Sequence, residues 1–250
     1  MDLEVETPNG PLMGHVAGPR TRGTGRRPAL LLSHGFPVAP RGAAAAASTY
    51  PELADWLAAE TGWIVMAFNF RGAGASKGQF SLAGWMDDLR AMVAYLAGRR
   101  DVGGVWLAGF RTGGSLSVCL AADDPQVRGV AALASHVDFE RWAADPRRLL
   151  DEARSLGVIT QAGFPPDLEA WARPLRTLRP LEAASSVPPR PFLIVHGTDD
   201  TVVPLVDARA LGDAAHNHVE FRVLSGAGHH LRHDPRAVSI LLGWMERQER

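Results

Sequence analysis

Short apolar runs alternate with longer amphipathic segments along this chain, and that rhythm predicts its elements. Leu3-Glu4-Val5-Glu6 has the period-two pattern of a half-buried strand. After the turn cluster Pro8-Asn9-Gly10-Pro11, Leu12 to Val16 predicts the second arm of a hairpin. Thr21 to Arg27 is polar and contains glycine, so it reads as a loop. Ala29 to Ser33 is a continuous apolar run of the kind found in parallel strands buried on both faces. Further strands are predicted over Trp63–Phe70, Val105–Ala108, Val127–Ser135, Phe192–Val195 and Val219–Leu224.

Helical patterns fill the gaps. The alanine-rich stretch 41–49 predicts a loop leading into a helix, with Ser48 or Thr49 as cap and Pro51 in the first turn. Leu82 to Arg99 places Trp85, Met86, Leu89, Met92, Val93 and Leu96 on one face. Small residues dominate a helix from Thr112 to Asp123. Further helices are expected over Leu205–Ala215 and from Pro235 onward. Residues 136–186 break the rhythm: they carry no strand signal, but two helix-like pieces, Asp138–Leu156 and Asp167–Leu178, separated by Gly163-Phe164-Pro165-Pro166. Strands alternating with helices predict an α/β fold over a single domain, 1–250, with a mostly parallel central sheet and right-handed crossovers. In such sheets ligands bind outside the carboxyl ends of the strands, so the loops that follow strands carry the candidate chemistry.

Composition narrows the function classes. The chain has 250 residues, 46% hydrophobic and 21% charged, enough for one sizeable core. Its formal net charge is −1, from 26 basic and 27 acidic residues. No basic excess points to nucleic acid, while a charge so near zero favours self-association, and a homodimer is expected. Cys119 is the only cysteine, so no disulfide can form within the chain. The acidic, alternating start lacks the features of a signal peptide, and no apolar stretch reaches 18 residues. A cytoplasmic protein with no membrane partner is therefore expected.

Four segments, each directly after a predicted strand, carry the candidate chemistry: Ser33-His34-Gly35-Phe36-Pro37, Gly109-Phe110-Arg111-Thr112-Gly113, His196-Gly197-Thr198-Asp199-Asp200 followed by Val203-Pro204, and Gly226-Ala227-Gly228-His229. In order and spacing they resemble the α/β-hydrolases, in particular the serine-aminopeptidase-like and esterase-like branch. The resemblance covers essentially the whole chain, with 136–186 in the place of that family's helical cap. It implies that the backbone N–H groups of Phe36 and Thr112 form an oxyanion hole, that Asp200 rather than its neighbour Asp199 is the triad acid, and that His229 is the base, with His230 and His233 close by. His34 is a candidate ligand-binding residue, although it and His196 also fit a loop-packing role. Arg71 to Ser76 is glycine-rich without a dinucleotide fingerprint and reads as a tight loop beside the site. Cys119 and the tryptophans at 142 and 171 read as packing residues. No metal cluster and no cofactor motif is present, so no metal or cofactor is expected.

The chain departs from the family at one residue. Gly109 and Gly113 frame a nucleophile elbow, a strained strand-to-helix turn that needs small neighbours, yet its middle residue is Arg111. A guanidinium has no electron pair to offer and stays protonated. Thr112 lies one residue late, Ser115 a helical turn inside, and Ser33 before the oxyanion loop, so none replaces a serine at the elbow. A helix N-terminus also prefers anions to cations. The leading expectation is a hydrolase-fold protein without serine-hydrolase turnover, whose pocket binds a small molecule, with Arg111 gripping a carboxylate or phosphate; the equal competing expectation is that the long Arg111 side chain simply snorkels into the cap interface. One alternative is an active esterase- or peptidase-like hydrolase, or a lyase, in which the Asp200–His229 dyad activates water or acts as general base. Another is a fold kept only for oligomer contacts, with the pocket filled by side chains of the cap.

Overall fold

In a computed structural model of the protein, residues 1–19, 25–38, 42–216 and 218–248 are described. Residues 21–24 of the expected polar loop, and Arg41 at the head of the alanine-rich stretch, lie outside the described residues. Among those described, eight strands form one sheet: β1 (Asp2–Val5), β2 (Leu12–Ala17), β3 (Arg27–Ser33), β4 (Ile64–Phe68), β5 (Val102–Phe110), β6 (Val127–Leu133), β7 (Phe192–Gly197) and β8 (Glu220–Leu224). Their spatial order is β1-β2-β4-β3-β5-β6-β7-β8. The hairpin β1–β2 joins β4 antiparallel, and every pair beyond β4 is parallel.

The reason for the continuous apolar runs is visible in the layers. Successive side chains of a strand point to opposite faces. Leu30, Leu32, Val65, Ala67, Ala108 and Ala131 pack in one cluster with α1 (Tyr50–Thr61) and the final helix α10 (Pro235–Arg247). The intervening Leu31, Met66, Leu107, Val130 and Ile194 pack on the other face with α2 (Leu82–Ala97) and α3 (Thr112–Asp123). Both faces are dry, so neither can be polar. Ser81 caps α2 by accepting from the N–H of Gly84 at 3.0 Å. Thr49 occupies the cap position of α1 but its side chain makes no cap bond.

Between β6 and β7 the chain makes only helices: α4 (Glu140–Ala144), α5 (Pro146–Ser155), α6 (Leu168–Ala172), α7 (Pro174–Thr177) and α8 (Pro180–Ala184). Each of the two expected helical pieces is divided, and proline is the cause. Pro146 forces Asp145 out of the helical region, at φ −140 and ψ 78. Pro174 lacks the N–H that would continue α6. The segment is tied to the sheet's carboxyl edge by Ala43 N–H to Leu156 O at 2.7 Å and Phe80 N–H to Val158 O at 2.9 Å. Helix α8 packs on α3 and on α9 (Leu205–Ala214), within the helical layer of the main fold, while α4 to α7 lie further along the edge.

The glycine loop after β4 is braced by an ion pair. Arg71 donates from Nη2 to Asp88 Oδ1 at 2.6 Å and from its backbone N–H to Oδ2 at 2.9 Å. Asp88, on α2, is buried; burial pushes its carboxyl up, against the lowering effect of the Arg71 bonds. No helix among the described residues is long and apolar enough to cross a membrane.

Candidate active site

The site is assembled from four loops at the carboxyl edge of the sheet, and Arg111 stands at its centre. Strand β5 ends at Phe110 and α3 begins at Thr112, so a single residue makes the turn. Arg111 takes φ 58 and ψ −126, a conformation that costs a non-glycine residue on the order of 1–3 kcal/mol. Its N–H is fixed on Leu133 O at 2.8 Å and its carbonyl accepts from Ser115 N–H at 3.1 Å. So tight a turn presses backbone on backbone. A Cβ on Gly109 would overlap the carbonyl of Gly113, and one on Gly113 would overlap the carbonyl of His34. Those two glycines, legible in the sequence, are what let the helix start against β3.

The Arg111 side chain lies across Gly35, where an added Cβ would stand 2.7 Å from Arg111 Cβ. From there Nε donates to His229 Nε2 at 3.0 Å and Nη2 donates to Phe36 O at 2.6 Å. No carboxylate of the described residues stands within ion-pair distance of this guanidinium. Burial lowers its pKa, partly offset by Tyr50 and Asp200. The group remains a cation, as arginine does in proteins.

His229 and Asp200 are in contact. His229 Nδ1 donates to Asp200 Oδ2 at 2.9 Å, and both side chains are buried. The other carboxylate oxygen accepts from the N–H groups of Val202 at 2.9 Å and Val203 at 2.8 Å. Burial alone would raise this carboxyl, but the bonds from His229, Val203 and Val202 hold it below the usual carboxylate range. Asp199 is exposed and accepts only from Thr198 Oγ1 at 2.7 Å. His196 lies behind the pair, its Nε2–H donating to Val203 O at 2.9 Å, so it braces the acid's loop.

His34 is the sequence-based candidate that the structure moves out of the pocket. Its Nδ1–H donates to Gly35 O at 2.8 Å and its Nε2 accepts from Phe70 N–H at 3.1 Å. Both ring nitrogens are spent on backbone, the residue is 1% exposed, and it lines neither cavity of the site. Burial pushes its pKa down to about 4. It braces the loop that carries Phe36 and offers no ligand contact. The N–H groups of Phe36 and Thr112, by contrast, have no hydrogen-bond acceptor among the described residues. None of the three alternative hydroxyls bonds to His229, whose ring nitrogens meet Arg111 and Asp200: Ser33 pairs with Ser117 at 3.2 Å, Ser115 donates to His136 O at 2.8 Å, and buried Thr112 makes no bond to the imidazole. Cys119 is buried in α3, its thiol pushed up to about 12. Trp171 donates to Phe80 O at 2.9 Å and packs, whereas Trp142 faces the site.

Two cavities meet at Arg111 and His229. The larger, about 870 Å³, lies beneath α4 and α5 and is lined by Trp142, Phe139, His136 and a mixture of acids and arginines. The smaller, about 380 Å³, opens between the Phe36 loop, α1 and the segment after His229. Their presence is at odds with a pocket filled by side chains of the inserted helices. Three lining residues escaped the sequence reading. His136 follows the end of β6, and burial together with His229 and Arg111 lowers its pKa to about 3. The rule that sites sit at strand ends could have found it. Tyr50 and Arg232 carried no signal, since they meet the site from α1 and from the 3-10 turn Leu231–His233, 182 residues apart in sequence.

Comparison with known proteins follows the same geometry. The family described as Hydrolase_4, serine aminopeptidase, S33, matches residues 30–159, more than half of the chain. The esterase LipC of Mycobacterium tuberculosis is 25% identical over 189 residues; this stretch covers 68% of the present chain but 46% of that relative, so the chain spans about half its length. Among solved structures, the esterase Pf2001 of Pyrococcus furiosus superimposes with a TM-score of 0.71 at 19% identity, covering 99% of this chain and 91% of that one. The α/β-hydrolase GrgF of Penicillium sp. sh18 gives a TM-score of 0.71 at 21% identity, covering 99% and 98%. Est1E of Butyrivibrio proteoclasticus gives 0.72 at 15% identity, covering 99% and 97%. Matched over half its length by one family and superimposed over nearly all of it on these enzymes, the chain is a member of the serine aminopeptidase S33 family with the α/β-hydrolase fold.

Proposed function

We propose that Arg111 occupies the nucleophile position of this family, that the protein lacks ordinary serine-hydrolase turnover, and that its pocket binds a small molecule through a carboxylate or phosphate group. The observation that carries this reading is the hydrogen bond from Arg111 Nε–H to His229 Nε2 at 3.0 Å. In a working triad the histidine receives a proton from a hydroxyl, which then attacks. Here the donor is a guanidinium, which an imidazole cannot deprotonate and which cannot attack a carbonyl. Loss of the nucleophile from such a triad costs about 10⁶ in turnover. No other hydroxyl among the described residues bonds to His229. A cation without a carboxylate partner in a half-dry pocket is in turn a natural anchor for an anion.

The alternative, an Asp200–His229 dyad that activates water or abstracts a proton, needs the lone pair on His229 Nε2. Arg111 holds that lone pair, so this reading also requires the arginine to swing away. The test pairs a fluorophosphonate label with short-chain p-nitrophenyl esters on the native protein, Arg111→Ser and His229→Ala. The native protein should stay unlabelled and hydrolyse esters no faster than His229→Ala, while Arg111→Ser should gain the label. Labelling of the native protein would overturn the reading.

A further inference from the structure

The larger of the two cavities is the obvious place for a ligand, but its charges are wrong for an anion. Against Arg111, Arg141 and Arg148 its walls carry Asp138, Asp145, Asp151, Glu152 and Asp207. The smaller cavity is the opposite case. Its described lining contains no carboxylate at all, yet it includes Arg111, Arg232, Tyr50 and the histidines 229, 230 and 233.

Arg232 is placed there by the segment that follows His229. Its guanidinium carbon lies 5.6 Å from the centre of the Tyr50 ring, a cation–π stack, and Nη2 donates to Thr49 O. Its Nε is buried without a hydrogen-bond partner, and no carboxylate of the described residues pairs with it. Two guanidinium groups thus border one cavity, neither in an ion pair among the described residues, although Asp200 acts on Arg111 and Glu52 on Arg232 from further off. Tyr50 lies within the electrostatic reach of both. It is 6% exposed, and its hydroxyl has no hydrogen-bond partner among the described residues. A half-buried cation with no counter-charge beside it is costly, and an oxyanion in the cavity would face both guanidinium groups and the Tyr50 hydroxyl at once.

We propose that the smaller cavity is the anion site: a compact oxyanion, the carboxylate or phosphate end of the ligand, sits between Arg111 and Arg232 with the Tyr50 hydroxyl as a third donor. This deepens the anion-binding reading above and rests on it. Arg232 and Tyr50 are then specificity-determining residues, and the acid-rich cavity under α4 and α5 takes the neutral or basic remainder of the ligand. A volume of about 380 Å³ admits the oxyanion with a small substituent.

Calorimetry with phenyl phosphate and a selenate soak of crystals of the native protein test this together. Selenate should give an anomalous peak between Arg111 and Arg232. Arg232→Met, like Arg111→Met, should weaken phenyl phosphate binding about tenfold or more, while Arg90→Met, exposed on α2 and lining neither cavity, leaves it unchanged. Arg111→Met alone losing affinity would overturn the two-arginine site and leave anion binding at Arg111 standing; a selenate peak only under α4 and α5, beside Arg141 and Arg148, would overturn both. Native protein that binds neither probe would overturn both. Should Arg232→Met fail to fold, the selenate position in the native protein still decides.

Discussion

Arg111 donates its Nε–H to Nε2 of His229 across 3.0 Å, which decides where the histidine carries its proton. A guanidinium can only donate, so Nε2 must be the acceptor. The proton then sits on Nδ1, directed at Asp200 Oδ2 at 2.9 Å. Nitrogen NMR of the labelled protein at neutral pH should show a neutral His229 with a protonated Nδ1. In Arg111→Met the Nε2 resonance should move, because its donor is gone. A dominant Nε2–H tautomer in the native protein would contradict this arrangement.

His34 makes stability depend on pH in a defined direction. Burial depresses its folded-state pKa to about 4, and its Nε2 lone pair holds Phe70 N–H. An unfolded chain takes up the proton near 6.5, well before the native one. The neutral histidine therefore contributes stability that is whole above pH 6.5 and is lost as pH falls toward 4. Near pH 5 the His34 share of the loss should be about 2 kcal/mol, read as the difference between the native protein and His34→Gln in urea unfolding at a series of pH values, since His136, depressed to about 3, adds its own loss to both. His34→Gln should be less stable at neutral pH but show a flatter pH profile; an unchanged profile would refute the assignment.

Asp88→Ala should destabilise strongly. The change leaves Arg71, now without its buried carboxylate, beside the loop after β4. Removing one partner of a buried pair typically costs about 3–5 kcal/mol. The double variant Arg71→Met, Asp88→Leu should recover much of that loss, because it removes both charges. Denaturant midpoints of the three proteins measure it, and an Asp88→Ala protein as stable as the parent would show that the pair does not brace the loop.

Gly109→Ala tests the turn that presents Arg111. The added methyl meets only backbone, at Gly113 and Gly114, so no side chain can rotate to relieve it. Destabilisation should reach or exceed the roughly 1–3 kcal/mol of ordinary overpacking. Alanine at Gly10, with open space around its Cβ but φ of 105, serves as a strain-only control. Equal effects at the two positions would show that crowding at the elbow is not what selects glycine there.

Much of this protein is determined locally. Apolar runs such as Leu30-Leu31-Leu32 specify strands covered on both faces, because each residue in the run points to one side or the other and both sides are dry. Helices Thr112–Asp123 and Pro235–Arg247 start where the sequence predicts, since their signals, a glycine-framed turn and an Asp-Pro start, act within a few residues. The four loop motifs follow strand ends that the periodicity fixes, while it is their resemblance to the α/β-hydrolases that singles out Asp200, His229, Arg111, Phe36 and Thr112 within them.

Only the tertiary structure decided how those residues are used. His34 and Arg111 are both polar residues in strand-end loops, and nothing local tells them apart. One turns inward and spends both nitrogens on backbone; the other lies across Gly35 and reaches His229, 118 residues away. Arg232 and Tyr50, a hundred and eighty-two positions apart in sequence, were invisible as a site until packing set a guanidinium over a phenol ring. Secondary structure is written in short-range periodicity. A charge site depends on which distant side chains share a cavity and which find no partner, and only the folded chain sets those distances.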